Sequence, residues 1–241
     1  MIIPTLNEAG NLGALLSQLR ILDIAQIIVS DGGSVDRTRN VARTFSGVTV
    51  LSGPSGRGAQ IACATPFITG DIVWLLHADS SLCGDPITEI RETLTDQSIA
   101  LGCFRLRFDA SGPCFRLYER VSRIESLWTT FGDQGFFMRR HDYLHLGGCP
   151  ATPLFEDVAL RAAARQLGAV RKLQTPIVTS ARRFRRRGPI RTQLTNARLL
   201  ISYLCGADPT VLALKYYGAP DQRRRVHGGE AIFAQRSLKR L

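Results

Sequence analysis

The first hundred residues alternate short apolar runs with amphipathic segments. Four apolar runs suit buried strands, at residues 1–5, 26–33, 48–51 and 71–76. The first segment between them carries four leucines on one helical face, Leu12, Leu15, Leu16 and Leu19. Strand and helix alternating four times predict an α/β fold with a parallel sheet covered by helices.

The remainder of the chain is less regular. Residues 102–109 alternate apolar and polar side chains, which predicts a half-buried strand, and residues 134–139 are a second strand candidate. A helix is predicted over 153–168, ending at Gly168. Further helices are expected from Gly188 to Tyr203 and from Pro209 to Tyr217, and the last twenty or so residues are expected to be disordered.

Polar or glycine-rich residues follow each of the four apolar runs. The residues in these positions are Thr5, Asn7 and Glu8, then Asp31, Gly32 and Gly33, then the loop 52–58, then His77 and Asp79. Because ligands of open parallel sheets bind outside the carboxyl ends of the strands, these residues are candidates for one binding site.

The charge of the chain is unevenly distributed. Its net charge of +11 divides into −2 for residues 1–170 and +13 for residues 171–241. A basic third of this kind is compatible with a solubilising surface, an anionic membrane, a phosphorylated substrate or nucleic acid. Nucleic acid is the least favoured partner, since Phe184 alone among the arginines provides few stacking aromatics.

Targeting signals and cysteine usage favour a cytoplasmic protein. The chain lacks an apolar run of about 20 residues and an N-terminal secretory signal. Its six cysteines are scattered without a CxxC pair, which is typical of reduced thiols. Peripheral contact with the inner membrane face is an open alternative.

Five segments carry a resemblance to a known family. In order they read IIPTLNEAGNL, IIVSDGGSVDRT, GRGAQ, LLHADS and FEDVAL, and over residues 1–180 they resemble a family 2 glycosyltransferase of the GT-A fold. The resemblance implies a Rossmann-like, mostly parallel sheet flanked by helices, with a mixed C-terminal half and a basic helical tail. We expect a catalytic domain at 1–180, with a nucleotide-binding half at 1–84 and an acceptor half at 85–180, and a basic extension at 181–241.

By this resemblance the first strand ends bind the nucleotide of a sugar donor. The resemblance places Thr5, Asn7 and Glu8 in the nucleotide pocket, Asp31 against the base, and Gly32 where backbone approaches closely. Two alternatives stay open from the residues alone. Asp31 also fits a turn before Gly-Gly, and Glu8 also fits a charge at a helix N-terminus.

The HADS segment takes the place of the DxD-type motif that binds a divalent cation in this family. Asp79 matches the last carboxylate of the motif, whereas His77 departs from the first. We expect Mg²⁺ or Mn²⁺, held by Asp79 and His77 together with donor phosphates. The alternative role of Asp79 is that of a turn residue.

Arginines are candidates for the donor diphosphate. Arg57 lies in the glycine-rich loop, where it could bind diphosphate or base, or open a helix as a solvated side chain. In the segment 181–192, Arg183 or Arg186 could close over the diphosphate, or the segment could dock on anionic lipid. The QxxRW motif of processive members is absent, which favours transfer of a single sugar.

The resemblance assigns the chemistry to the Glu156-Asp157 pair. Asp157 would be the general base of a single displacement with inversion, and Glu156 would orient the acceptor or hold Asp157. Asp133 and Gln134 match acceptor-facing positions more loosely. Acidic residues also favour a helix N-terminus, and Asp133 also fits a turn after Gly132.

These expectations combine into one predicted function and two alternatives. The prediction is an inverting glycosyltransferase that moves one sugar from a nucleotide-diphosphate sugar, with a UDP-sugar favoured, to an acceptor hydroxyl, with a lipid-linked acceptor as one option. The alternatives are a non-catalytic nucleotide-sugar binding protein, and a nucleic-acid or membrane-surface binder that uses the basic tail.

Overall fold

The structure, a computed structural model, describes residues 1–217 without the side chains of Arg183 and Arg187. Its strands are Ile2–Thr5 (β1), Ile27–Asp31 (β2), Val48–Ser52 (β3), Ile72–Trp74 (β4), Ser80–Leu82 (β5), Ile99–Phe108 (β6), Phe137–Arg139 (β7) and Ala169–Thr179 (β8). Its α-helices are Ala9–Leu19 (α1), Thr38–Arg43 (α2), Arg57–Ala64 (α3), Pro86–Thr93 (α4), Pro113–Val121 (α5), Arg140–His145 (α6), Glu156–Leu167 (α7), Arg182–Arg187 (α8), Pro189–Leu204 (α9) and Pro209–Tyr217 (α10).

The first three strands form the predicted parallel sheet, in the order β1-β2-β3. Their carboxyl ends are in register, with Thr5 opposite Asp31 and Asp31 opposite Ser52. Ile3 and Val29 are fully buried, as expected for strands of a parallel sheet with both faces covered. The leucines of α1 pack against this sheet in the same core cluster.

The fourth apolar run departs from the prediction. β4 pairs antiparallel with β7, with Val73 opposite Met138. Only the following residue, Leu75, makes a parallel bridge to Ile2, where the N–H of Leu76 donates to the carbonyl of Ile2 over 3.0 Å. The run therefore joins two sheets. An apolar run predicts that a strand is buried. It does not predict which strand pairs with it, because pairing uses backbone N–H and C=O groups that nearly every residue carries.

The second sheet is mixed and has the order β4-β7-β6-β8-β5. β6 and β8 run parallel, whereas β5 and β8 are antiparallel. β6 and β7 were predicted, but β5 and β8 were not. β8 contains Gln174 and Pro176 within a stretch of mixed polarity, so it lacks the alternation that identifies a strand. The α/β fold class with a mixed C-terminal half is confirmed.

Two helices lie where the sequence predicted them, α9 and α10. α9 and α10 pack through Leu199 and Leu212 against Leu154, just before α7. Tyr203 of α9 stacks on Phe155, with ring centroids 4.8 Å apart. None of the helices in residues 1–217 is long and apolar enough to cross a membrane. The predicted disorder of the last twenty or so residues lies outside the described residues.

Candidate functional site

Asp31 combines a turn-forming role with a carboxylate oxygen that has no hydrogen-bond partner among the described residues. Its Oδ2 accepts hydrogen bonds from the N–H groups of Gly33 (3.1 Å) and Ser34 (2.9 Å), and lies 3.7 Å from the Arg39 guanidinium. Its Oδ1 is buried without a hydrogen-bond partner in residues 1–217. A buried acceptor costs free energy unless it is paired, so Oδ1 is suited to a donor group on a ligand.

Gln60 holds the ends of the first two strands together. Its Nε2 donates to the carbonyls of Thr5 (2.6 Å) and Ser30 (2.8 Å), and the residue is buried. A Cβ added at Gly32 would lie 2.9 Å from the Gln60 amide. Gly32 therefore packs closely against the Gln60 amide, a contact that no sequence motif indicated. Thr5 is likewise buried, at 1% exposure.

Asn7 and Glu8 connect the end of β1 to two distant segments. Asn7 adopts a left-handed backbone (φ 56°), and its Oδ1 accepts from the N–H of Val35 over 2.9 Å. Glu8 precedes α1, and its Oε1 accepts from Nη2 of Arg182 over 2.7 Å, across 174 positions. Arg182 was not among the predicted site residues. The arginines predicted from the same run were Arg183 and Arg186.

The two HADS residues follow β4 at the junction of the sheets. His77 and Asp79 are half-buried, and Ala78 between them is buried. The charge of Asp79 contributes to raising the pKa of Arg182, after the larger effects of Glu8, and also to raising the pKa of Asp133. Asp79 therefore lies within electrostatic reach of both the Arg182 and the Asp133 side of the site.

Arg57 connects the N-terminus of α3 to the N-terminus of α7. Its Nε donates to Oε1 of Glu156, and its Nη2 lies 3.9 Å from Oδ2 of Asp157. The close approach depends on Gly58, where an added Cβ would lie 2.4 Å from the carbonyl oxygen of Pro150. Arg57 is thus paired with the two residues expected to carry the chemistry.

Glu156 is buried with only one of its oxygens paired. Its Oε2 has no hydrogen-bond partner in the part of the chain that the structure describes. Burial raises the pKa of Glu156, and the charge of Arg57 partly opposes that rise. The preceding residue, Phe155, has a left-handed backbone (φ 63°), which is uncommon for a bulky side chain and costs on the order of 1 kcal/mol or more.

Asp157 and Asp133 form an acidic pair. Oδ2 of Asp157 accepts from the N–H of Gly132 over 2.7 Å, and Oδ1 accepts from its neighbour Val158 over 2.8 Å. Burial and, secondly, the charge of Asp157 raise the pKa of Asp133 to about 6. Oδ1 of Asp133 is buried, and none of the described residues forms a hydrogen bond with it. One carboxyl of the pair is therefore poised to titrate near neutral pH.

Three other predicted site residues are Gln134, Arg186 and Arg183. Gln134 is fully buried, and its Nε2 donates to the carbonyl of Thr129 over 2.6 Å, so it braces a loop instead of facing an open surface. Arg186 is exposed on α8. The side chain of Arg183 lies outside the described part of the chain.

A match to a family model identifies the family of this chain. The model of the family "Glycosyl transferase family 2" matches residues 1–152, which include β1 to β7 and the strand ends just described. The chain belongs to glycosyl transferase family 2. The resemblance inferred from the five motifs is confirmed.

One curated relative and two solved structures illustrate what this family 2 chain is similar to. Glycosyltransferase AglJ of Haloferax volcanii is 30% identical over 97 residues, which is 40% of this chain and 32% of AglJ. S. aureus TarS 1–349 in complex with UDP has a TM-score of 0.61 at 13% identity, over 90% of this chain and 69% of TarS 1–349.

The second structure is the mannosyltransferase PcManGT from Pyrobaculum calidifontis, in complex with GDP-Man and Mn²⁺. Its TM-score is also 0.61, at 19% identity, over 90% of this family 2 chain and 68% of PcManGT. At these identities the two structures establish the fold. The match to AglJ spans about a third of that protein's length.

Proposed function

We propose that this chain is an inverting glycosyltransferase that moves one sugar from a nucleotide-diphosphate sugar to an acceptor hydroxyl in a single displacement. The observation that carries the proposal is the Arg57–Glu156–Asp157 connection. It brings the glycine-rich loop at the edge of the nucleotide-binding half against the carboxylates of the acceptor half. When a donor binds at the strand ends, its anomeric carbon would then lie between the departing nucleoside diphosphate and the proposed base, Asp157.

The donor half offers groups suited to a nucleotide. The unpaired Oδ1 of Asp31 can accept a hydrogen bond from a base N–H or a ribose hydroxyl. Arg182, which donates to Glu8 and lies within electrostatic reach of Asp79, can bind an oxygen of the diphosphate. We favour a UDP-sugar because of the family resemblance and of the UDP bound to TarS, with GDP-Man in PcManGT as the competing precedent.

A divalent cation fits this site when it is shared with the donor. No group of three His, Cys, Asp or Glu residues within 1–217 could hold a metal ion by itself. Asp79, with His77 beside it, would supply one or two ligands, and the diphosphate oxygens would complete the coordination, as is usual for Mg²⁺ and Mn²⁺. When bound, the cation would neutralise charge on the departing nucleoside diphosphate.

The acceptor half offers the proton acceptor. Backbone N–H groups of Gly132 and Val158 fix the Asp157 carboxylate from two sides, and each oxygen keeps a second lone pair for an acceptor hydroxyl. Asp157 takes the proton as the hydroxyl attacks the anomeric carbon from the face opposite the leaving diphosphate. The protonation state of Asp133 determines how much negative charge surrounds Asp157.

A thermal shift experiment tests the proposal. The protein is heated with UDP, GDP and their sugars, each in the presence of Mn²⁺, Mg²⁺ or EDTA. A ligand that binds only the native state raises the midpoint by mass action. We expect a cation-dependent rise with one nucleotide class, and its sugars are then assayed for turnover. The absence of a shift with every nucleotide would refute the donor site.

A further inference from the structure

A groove on the side of the acceptor half is lined almost entirely by apolar side chains. It lies between α5, α8 and α9 and has a volume of about 340 Å³. Its walls include Phe108, Phe115, Tyr118, Phe184, Ile190 and Leu194. This volume is at the lower end of the roughly 300–1,000 Å³ typical of small-molecule sites. Such a groove suits a narrow apolar chain.

The walls of the groove expose large apolar side chains to solvent, which favours the binding of an apolar ligand. Leu117 of α5 is 63% exposed and Leu194 of α9 is 68% exposed, and α5 has no buried residue. Aromatic rings line the bottom, with Phe108 and Phe184 at a centroid distance of 5.1 Å. Apolar surface arranged in this concave manner marks a binding site more often than chance exposure does.

One wall of the groove leads to the carboxylates. The ring of Tyr118 lines the groove, while the pKa of its hydroxyl is raised mainly by burial and further by the charges of Asp133 and Asp157. On another wall, Phe184 belongs to α8, the helix that begins at Arg182. The groove therefore shares Tyr118 with the electrostatic surroundings of Asp133 and Asp157, and Phe184 with the helix that contacts Glu8.

The charges around the groove disfavour the C-terminal tail as its occupant. Two of the helices that line the groove carry exposed arginines, Arg116 and Arg120 on α5 and Arg191 and Arg198 on α9, and α9 contains no acidic residue. Residues 218–241 carry six Lys and Arg against two Asp and Glu. A basic segment would be repelled from a basic rim, whereas a neutral or anionic ligand would not.

We propose that this groove binds the apolar chain of an amphiphilic acceptor, and that the acceptor presents its hydroxyl toward Asp157 past Tyr118. The inference rests on the proposed glycosyl transfer and adds the chemical class of the acceptor. Chain length would then control acceptor binding, because each methylene removed from water adds to affinity.

The chain contains its own reporter for this site. Cys114 is exposed and lines the groove, whereas Cys205 is exposed after the end of α9 and does not line it. The full-length protein is treated with iodoacetamide in the presence of 1-decanol or 1-butanol, and labelling of each cysteine is followed by peptide mass spectrometry. At about four times its Kd, decanol should slow the labelling of Cys114 roughly fivefold and leave Cys205 unchanged.

Two variants sharpen the test. Leu194→Asp places a charge on the groove wall at an exposed position and should abolish the protection of Cys114. Ile21→Asp changes a residue that is 81% exposed and does not line the groove, so protection should persist. The proposal is overturned if decanol and butanol protect equally, if Cys205 is protected as well, or if decanol gives no protection.

Two further measurements separate this inference from its alternatives. Phosphatidylglycerol vesicles that protect Cys114 when decanol does not would overturn it in favour of a membrane-docking face. The nucleotide thermal shift is run on the same protein. A nucleotide shift without decanol protection leaves the transferase proposal standing and removes the groove, whereas decanol protection without any nucleotide shift refutes glycosyl transfer and, with it, the acceptor role of the groove.

Discussion

The backbone N–H of Gly132 donates a hydrogen bond to Oδ2 of Asp157 over 2.7 Å, across 25 positions of sequence. A Cβ at position 132 would lie 3.0 Å from the Cβ of Asp157, so the absence of a side chain permits this approach. The contact orients the carboxylate and ties the loop before β7 to the N-terminus of α7. It fixes the geometry on which the proposed proton transfer depends.

Replacing the proposed base should remove turnover and preserve donor binding. Asp157→Asn keeps the shape of the side chain but removes its proton-accepting ability, so kcat should fall by about 10²–10⁴, with an unchanged nucleotide thermal shift. Asp71→Asn alters a carboxylate whose side chain is 98% exposed and serves as the matched control. Wild-type turnover by Asp157→Asn would contradict the base assignment.

Cation binding should depend on the nucleotide. With at most two ligands from His77 and Asp79, free protein should bind Mn²⁺ weakly, and UDP or GDP should strengthen binding by supplying phosphate oxygens. Electron paramagnetic resonance of free Mn²⁺ measures this directly. Asp79→Ala should eliminate the nucleotide-dependent binding. Equal Mn²⁺ binding with and without nucleotide, or by Asp79→Ala, would contradict this account of the HADS segment.

Arg182 should matter for the donor and little for stability. Its pair with Glu8 is solvent-exposed on the arginine side, with the side chain 56% exposed, and such pairs contribute about 0–1 kcal/mol. Arg182→Gln should leave the melting temperature nearly unchanged while raising the Kd of the donor about tenfold, the effect of losing one charge-assisted hydrogen bond. Arg186→Gln is the comparison, and an equal loss in both variants would argue for a general charge effect.

Asp133 should make stability depend on pH in a specific direction. Its pKa in the folded chain is about 6, above the ordinary value of 3.8 for this side chain, so the folded state binds more protons than the unfolded state between these values. The contribution of Asp133 to stability is therefore greatest at low pH and falls as pH rises through about 4 to 6.

Removing the Asp133 carboxyl should restore the stability that the protein loses as pH rises. Asp133→Asn should raise the free energy of unfolding at pH 7.5 by about 3 kcal/mol relative to wild type and leave it nearly unchanged at pH 4. Urea denaturation at the two pH values measures the difference. An Asn variant that is destabilised equally at both pH values would show that the carboxyl is needed for packing and is not held as a buried charge.

The approach of α3 to the loop before α7 should be sensitive to a single methyl group. Gly58→Ala introduces a Cβ 2.4 Å from the Pro150 carbonyl oxygen and 2.5 Å from that of Thr152, and should destabilise the protein by about 1–3 kcal/mol. Gly10→Ala, in α1 with nothing within 4 Å of the added Cβ, should stabilise it by about 0.5–1 kcal/mol. Similar melting temperatures for the two variants would contradict the packing argument.

Much of the N-terminal part of the chain was predictable from local patterns. Apolar runs and the leucines of α1 predicted β1 to β3 and their helix, because burial on both faces leaves a continuous apolar signal. Since parallel strands end at one edge, the same patterns also predicted that Thr5 and Asp31 lie side by side, and the register of β1 and β2 places them opposite one another. Both predictions depended on neighbouring segments of the chain.

Contacts between distant segments were not predictable in this way. Arg57 was equally suited to a phosphate or to solvent, and only the approach of α7 paired it with Glu156, 99 positions away. Arg182 was indistinguishable from the other arginines of its run until the fold placed it beside Glu8. Gln134 resembled a site residue by position, but the fold buried it.

By itself the sequence determined the family, the α/β class and the strand ends where polar chemistry gathers, since these follow from local periodicity and motif order. The tertiary structure decided which charges neutralise one another, which carboxyl has its pKa raised, and which side chains enclose an apolar groove. The physical reason is that pKa values and side-chain pairing depend on burial and on distances of a few ångströms between segments remote in sequence.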